Sequence, residues 1–199
     1  MDIELLLENS QETRIEGGLM DRLAECWAAW MPHLHAKRIA VGKDSYLAVW
    51  LDKEVEDQVD DIWEDAPSEA YMFNALAQTM CMSAIYDLLP EVAEAGCAPA
   101  PRPTLDLKMA LESEGLRSED EENPALALCR RYAVATYYPF RGGCDICDLS
   151  KECPKLKSGD GSYSVVLPAT SRLKAVSPFK TGALWEGLRT GSAAGLISA

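Results

Sequence analysis

Residues 47–63 read LAVWLDKEVEDQVDDIW, and the period assigned to this stretch decides the fold. Leu47, Leu51, Val55, Val59 and Ile62 recur every three or four residues, and Trp50 and Trp63 broaden the stripe. The opposite side carries Asp52, Glu54, Glu56, Asp57, Asp60 and Asp61. That spacing predicts an amphipathic helix with a solvated acidic back. Upstream, Leu19, Leu23, Cys26, Trp27, Trp30 and Met31 keep helical spacing up to Pro32, which marks an end. Downstream, Pro67-Ser68 opens a second helical run. Met72, Leu76, Met80, Ile85, Leu89 and Val92 follow, with no charge between Glu69 and Asp87. A helix apolar nearly all round belongs at the centre of a fold.

Beyond it, Pro99, Pro101 and Pro103 alternate with small residues and Arg102, a composition that favours an extended connector. A short helix over 104–116 comes next. Asn123-Pro124 then reads as an N-cap with proline at the first helical position, which predicts a helix that carries Cys129 and ends near Tyr138-Pro139. A strand over 162–167 and a small-residue helix over 181–196 complete the expectation. The fold class expected is therefore mainly α, an irregular helical bundle with a small C-terminal cysteine-rich metal-binding subdomain. The chain's 199 residues suit one domain. Residues 1–98 form its acidic helical body, and 104–199 its C-terminal part, which includes the Cys129–Cys153 subdomain.

Charge divides the chain at the same place. The net charge is −13, but residues 1–123 hold nine basic and 27 acidic side chains, while 124–199 hold ten basic and five acidic. The first part would repel phosphate backbones and anionic membranes. The second is a +5 island, attracted either to the acidic body or to an acidic partner. No charge-free apolar stretch is long enough for a bilayer span, and the acidic N-terminus does not resemble a secretory signal, so a cytoplasmic protein is expected.

Four of the seven cysteines fall in that island: Cys129, Cys144, Cys147 and Cys153, spaced C-x14-C-x2-C-x5-C. An odd total in a reducing compartment argues against a disulfide scaffold. Cys144 and Cys147 share one tight turn, Cys153 can return to a third corner, and Cys129 supplies a fourth thiolate. Four thiolates suit a cubane 4Fe-4S cluster or a structural zinc ion. A C-x-x-C pair can also cycle as a dithiol, although the βαβ setting of thioredoxin-like motifs is missing. The single close pair, Pro154 after the last cysteine, and Gly142-Gly143 beside the first favour the cluster. Arg130, Arg131, Arg141, Lys151, Lys155 and Lys157 can offset its negative charge. Tyr137, Tyr138 and Phe140 can limit its access to water.

The C-x2-C-x5-C run from Cys144 to Cys153 resembles the iron–sulfur loop of endonuclease III-type DNA glycosylases and of some RecB-like nucleases. That resemblance implies a cluster used as a structural staple. Neither a helix-hairpin-helix turn with catalytic Lys and Asp nor a nuclease-like Asp/Glu-x-Lys strand accompanies it, so it carries the chemistry of the loop alone.

Weaker signals read as structure. His33 and His35, the two histidines of the chain, follow a helix-ending proline and read as a surface turn rather than as ligands. Cys26, Cys81 and Cys97 lie in or beside apolar helices and read as core. The acidic run 54–65 lacks a calcium-loop glycine. Two histidines leave Ser162 and Ser164 without a hydrolase triad, and no phosphate loop is present. The function expected is an iron–sulfur protein that transfers electrons to, or supports, a redox or client protein partner. The alternative is an accessory or maturation factor in which zinc or a cluster is structural, holding a protein or, less favoured, nucleic acid; no membrane partner is expected.

Overall fold

The structure is a computed structural model and describes residues 1–117, 128–151 and 153. Four helices, α1 (Ile3–Ser10), α2 (Gly17–Trp30), α3 (Lys53–Asp65) and α5 (Pro90–Ala95), pack on a central one, α4 (Pro67–Leu88). Against α4 lies an antiparallel sheet of β1 (Leu34–Val41), β2 (Asp44–Leu51) and β3 (Ala133–Tyr137), with β2 in the middle. A sixth helix, α6 (Leu105–Glu112), covers the other face. The mainly α bundle expected from the sequence is thereby corrected to a mixed α+β fold.

The correction centres on residues 44–51. In register, Leu34 faces Leu51 and Ala36 faces Val49 across β1–β2, while Val49 faces Val134 and Leu47 faces Thr136 across β2–β3. Leu47, Val49 and Leu51 point into the core shared with α4, and Tyr46, Ala48 and Trp50 point toward Leu107, Leu111 and Leu116 on the α6 side. A strand covered on both faces is apolar at nearly every position, which removes the alternation that marks a half-buried strand. Its residues Leu47 and Leu51 then mimic the helical stripe of α3. The stripe is real only from Val55 onward, where Val55 and Val59 are fully buried.

The upstream helix is as expected: α2 ends at Trp30, and Met31–His33 forms a 3-10 turn with Pro32 near its start. Pro67 opens α4, the central helix, with eleven buried residues. Each fully buried leucine- or phenylalanine-sized side chain is worth about 1.5–3 kcal/mol, so α4 is the chief source of core stability. The proline connector before α6 is irregular, and Thr104 caps α6 by accepting from the Leu107 N–H at 3.3 Å.

A second correction concerns residues 128–138. Cys129 lies in a bend, not in a helix, and Ala133–Tyr137 is β3. The run Ala-Val-Ala-Thr-Tyr offers one β-branched residue to each of two core positions, Val134 and Thr136, and tertiary pairing with β2 overrides the local helix signal. The expected strand over 162–167 and helix over 181–196 lie outside the described residues. No helix among the described residues is long and apolar enough to cross a membrane.

Candidate metal centres

The cysteine loop follows β3. Cys144 is exposed, Cys147 and Cys153 half-buried, and Cys144 through Ile146 form one turn. Gly142 enters that turn with φ +109°, a conformation that side-chain-bearing residues rarely adopt. The loop is fastened to the body at several points. The Asp148 N–H donates to the Ala100 carbonyl at 3.0 Å, while within the loop the Ser150 N–H donates to the Cys147 carbonyl at 3.1 Å. Tyr137 Oη donates to the Ile146 carbonyl at 3.5 Å and accepts from the Arg102 N–H at 3.4 Å. The connector itself is held by Thr136, whose buried hydroxyl donates to the Pro99 carbonyl at 3.0 Å. Arg141 reaches Asp44, the first residue of β2, at 2.5 Å.

Cys129 stands on the other side of β3. Its N–H donates to the Arg117 carbonyl at 2.8 Å and its thiol to the Gly115 carbonyl at 3.4 Å, beyond the C-terminal end of α6. The length of β3, about 13 Å from its first residue to its last, separates the chain entering the strand from the chain leaving it. Arg131, beside Cys129, is committed elsewhere. It forms a bidentate pair with Asp60 on α3 at 2.6 and 2.9 Å, and its N–H donates to Glu56 Oε1 at 2.8 Å. Two of the basic residues read as a cluster environment, Arg131 and Arg141, thus pair with the acidic body, while Lys155 and Lys157 lie outside the described residues.

Three thiolates on one zinc ion would stand about 3.8 Å apart, given a zinc–sulfur bond of about 2.3 Å. No three cysteine sulfurs among the described residues lie within 4.8 Å of one another. The donor set (soft thiolates, two of them on one anchored turn) fits a thiolate-bound metal in kind. Its spread is wider than a single tetrahedral ion requires.

Of the other cysteines, Cys81 belongs to the core and Cys26 packs against it. Cys81 is buried in α4, and its thiol donates to the Tyr132 carbonyl at 3.5 Å. Burial pushes that thiol up to about 12, so it stays protonated and is no nucleophile at neutral pH. Cys26 is half-buried and its thiol is likewise raised by burial, more than Arg22 lowers it. Cys97, expected in the core, is half-buried just past the Gly96 cap of α5 and joins neither hydrophobic cluster. A hollow of about 220 Å³ beside Cys81 is lined by Asn9, Gln78, Met82, Arg131 and Tyr132, with no carboxylate–histidine or nucleophile–base pair among them.

A second group escaped the sequence reading. The turn expected at His33-Leu34-His35 holds for His33, the last residue of the 3-10 turn, but Leu34 already opens β1, and strand alternation puts His35 on the face opposite the buried Leu34. The ladder continues past Leu51, where the Asp52 N–H donates to the His33 carbonyl at 3.1 Å. Asp52 Oδ2 lies 3.3 Å from His33 Nδ1, and Oδ1 lies 2.9 Å from His35 Nε2. Burial works to raise the Asp52 carboxyl, and the hydrogen bonds and charge of His35 and His33 outweigh it, holding the carboxyl below its usual value. His35 also stacks on Trp50, its cross-strand partner, with ring centroids 5.2 Å apart. Glu54, in the first turn of α3, completes the set: one donor atom each from His33, Asp52 and Glu54 lies within 4.8 Å of the others. The available signal was the H-x-H spacing together with a D-x-E at 52–54, informative only once 34–41 and 44–51 are paired as strands. Comparison with known protein families, curated proteins and solved structures finds no match to this chain.

Proposed function

We propose that the protein holds a 4Fe-4S cluster on its cysteine loop and passes electrons to, or supports, a redox partner protein. Cys144, Cys147 and Cys153 are the core ligands, and Cys129 is the fourth. The observation that carries this reading is the C-x2-C-x5-C run on a turn pinned to β3 and the connector, with Cys144 at the surface. The cluster, when bound, supplies a one-electron couple at that surface. The residues around it supply position and shielding: Gly142 permits the turn, Tyr137 fixes the Ile146 backbone, and Asp148 ties the loop to Ala100. Arg102, 3.9 Å from Asp148, adds positive charge at the rim, where an acidic partner or the anionic centre is favoured.

Cys129 is the ligand that demands most of the chain. Its thiol must leave the Gly115 carbonyl and reach across the β3 region to join the others. The test is purification without oxygen, with iron, acid-labile sulfide, zinc and the visible spectrum measured on wild type and variants. Brown protein with iron and sulfide in equal amounts is expected. C144S or C147S should lose both, and C129S should retain a larger share. A colourless chain with stoichiometric zinc overturns the reading. If iron is present but cannot be reduced reversibly at any accessible potential, the cluster is a staple and electron transfer fails.

A further inference from the structure

The corner where β1 begins and β2 ends contains both histidines of the chain, and its chemistry is separate from that of the thiols. One step past the Leu34–Leu51 pair that ends the ladder, the Asp52 N–H donates to the His33 carbonyl, and the Asp52 carboxylate lies between the imidazoles of His33 and His35. Asp52 also occupies the N-cap position of α3, where an aspartate ordinarily accepts from a backbone N–H of the first turn. It makes no such capping bond. Its oxygens are turned away from the helix and toward the histidines. The Glu54 carboxylate makes no hydrogen bond or ion pair to another described residue, and it projects from the same first turn within 4.8 Å of the His33 and Asp52 donor atoms.

We propose that His33, Asp52 and Glu54 form a binding site for a divalent first-row transition cation, with His35 as a positioning residue that holds the second oxygen of Asp52. One imidazole with two carboxylates suits zinc, iron(II) or manganese(II) better than magnesium, which takes oxygen ligands and keeps its water. Donors around zinc at about 2.1 Å stand about 3.4 Å apart, so the group closes onto an ion by rotation of the exposed Glu54 and small shifts of His33. The N-terminus of α3 places about half a positive charge nearby, which opposes a cation, but two carboxylates outweigh it. His35 supplies the outer shell such sites require: its ring is fixed by Trp50, and its Nε2 lies within hydrogen-bond distance of the Asp52 oxygen turned away from His33. Three protein ligands leave open positions for water or a small anion.

Because the chain has two histidines, their imidazole proton resonances report this site alone. The probe is zinc, titrated into the full chain carrying C144S, C147S and C153S, so that cysteine-loop binding is removed and the outcome is independent of the iron–sulfur proposal. Both imidazole signals should move together and saturate at one equivalent, while magnesium leaves them in place. D52N and H33A should each weaken binding by about tenfold or more, and H35A by less. H35Q, which restores a donor to Asp52, should recover what H35A loses. Should excess zinc leave both imidazoles unmoved, or D52N bind as tightly as its parent, the site does not exist. If H35A and H35Q bind equally, His35 has no positioning role.

Discussion

The cysteine loop and the histidine corner lie at opposite ends of the same three-stranded sheet. The loop leaves β3 beside Tyr46 and the β1–β2 turn, while the corner sits where β2 runs into α3. About 23 Å of β2 separates these ends. At the loop, the three thiols that share a local pattern are close along the chain, and one backbone hydrogen bond to the connector, the Tyr137 hydroxyl and the Arg141–Asp44 pair hold their turn. At the corner, the donors come from the 3-10 turn before β1, the residue that follows β2 and the first turn of α3, and the strand ladder beside them sets their positions. A local site tolerates damage to the body but depends on its tethers. A site built by register lasts only as long as the sheet edge that builds it.

The largest expected effect comes from attacking what supports the corner. Trp30 is completely buried three residues before His33, and its Nε1 donates to Gln58 of α3 at 2.8 Å. W30A should cost about 3–5 kcal/mol, from the cavity and the lost α2–α3 tie. That is a large share of the roughly 5–15 kcal/mol by which a domain is stable. Urea unfolding measures it. A loss below about 1 kcal/mol would mean that the corner does not depend on this anchor. Zinc binding at the histidines should weaken in the residual folded protein, with iron retention at the loop less affected.

Next in size is the tether of the loop. Thr136 is fully buried, and T136V keeps its shape while leaving the Pro99 carbonyl without its donor. An unsatisfied buried acceptor costs about 1–3 kcal/mol. The comparison predicts the reverse pattern from W30A: iron is lost faster from the loop in the presence of chelator, and the imidazole resonances stay where they are. Equal disturbance of both ends would show that β3 couples them.

How far each region was legible in the sequence follows from the same contrast. The helices α2 and α4 were readable because a helix declares itself through its own 3.6-residue period and its end signals, Pro32 and Pro67. The cysteine run was visible as a pattern because Cys144, Cys147 and Cys153 are neighbours in the chain. Residues 44–51 were not, since a strand buried on both faces loses its alternation, and Leu47 and Leu51 continued the spacing of Val55 and Val59. β3 was hidden for a related reason: five short residues carry little signal without the β2 partner that they satisfy. Missing the sheet then concealed the corner, because His33 and Asp52 are 19 positions apart and meet only through the register Leu34 to Leu51.

The smallest effect tests whether Cys129 belongs to the loop or to the body. Arg131 fastens the segment entering β3 to α3 through Asp60, and the hydrogen bond from Arg131 holds the Asp60 carboxyl below its ordinary 3.8. A carboxylate lowered in the folded state stabilises that state above its ordinary pKa, and the contribution is lost as pH falls through the lowered value. D60N should therefore shift the urea midpoint slightly downward at neutral pH, with the difference from wild type vanishing in acid. Both groups are exposed, so molar salt should erase the difference as well. A difference that grows in acid would reverse the sign of this linkage. The informative measurement is the thiol of Cys129. If D60N frees the segment from α3, labelling of Cys129 in the apo chain should quicken while that of Cys144 stays constant. Should the iron content of D60N also rise relative to wild type, the Arg131–Asp60 pair competes with ligation, holding Cys129 to the body against the pull of the cluster.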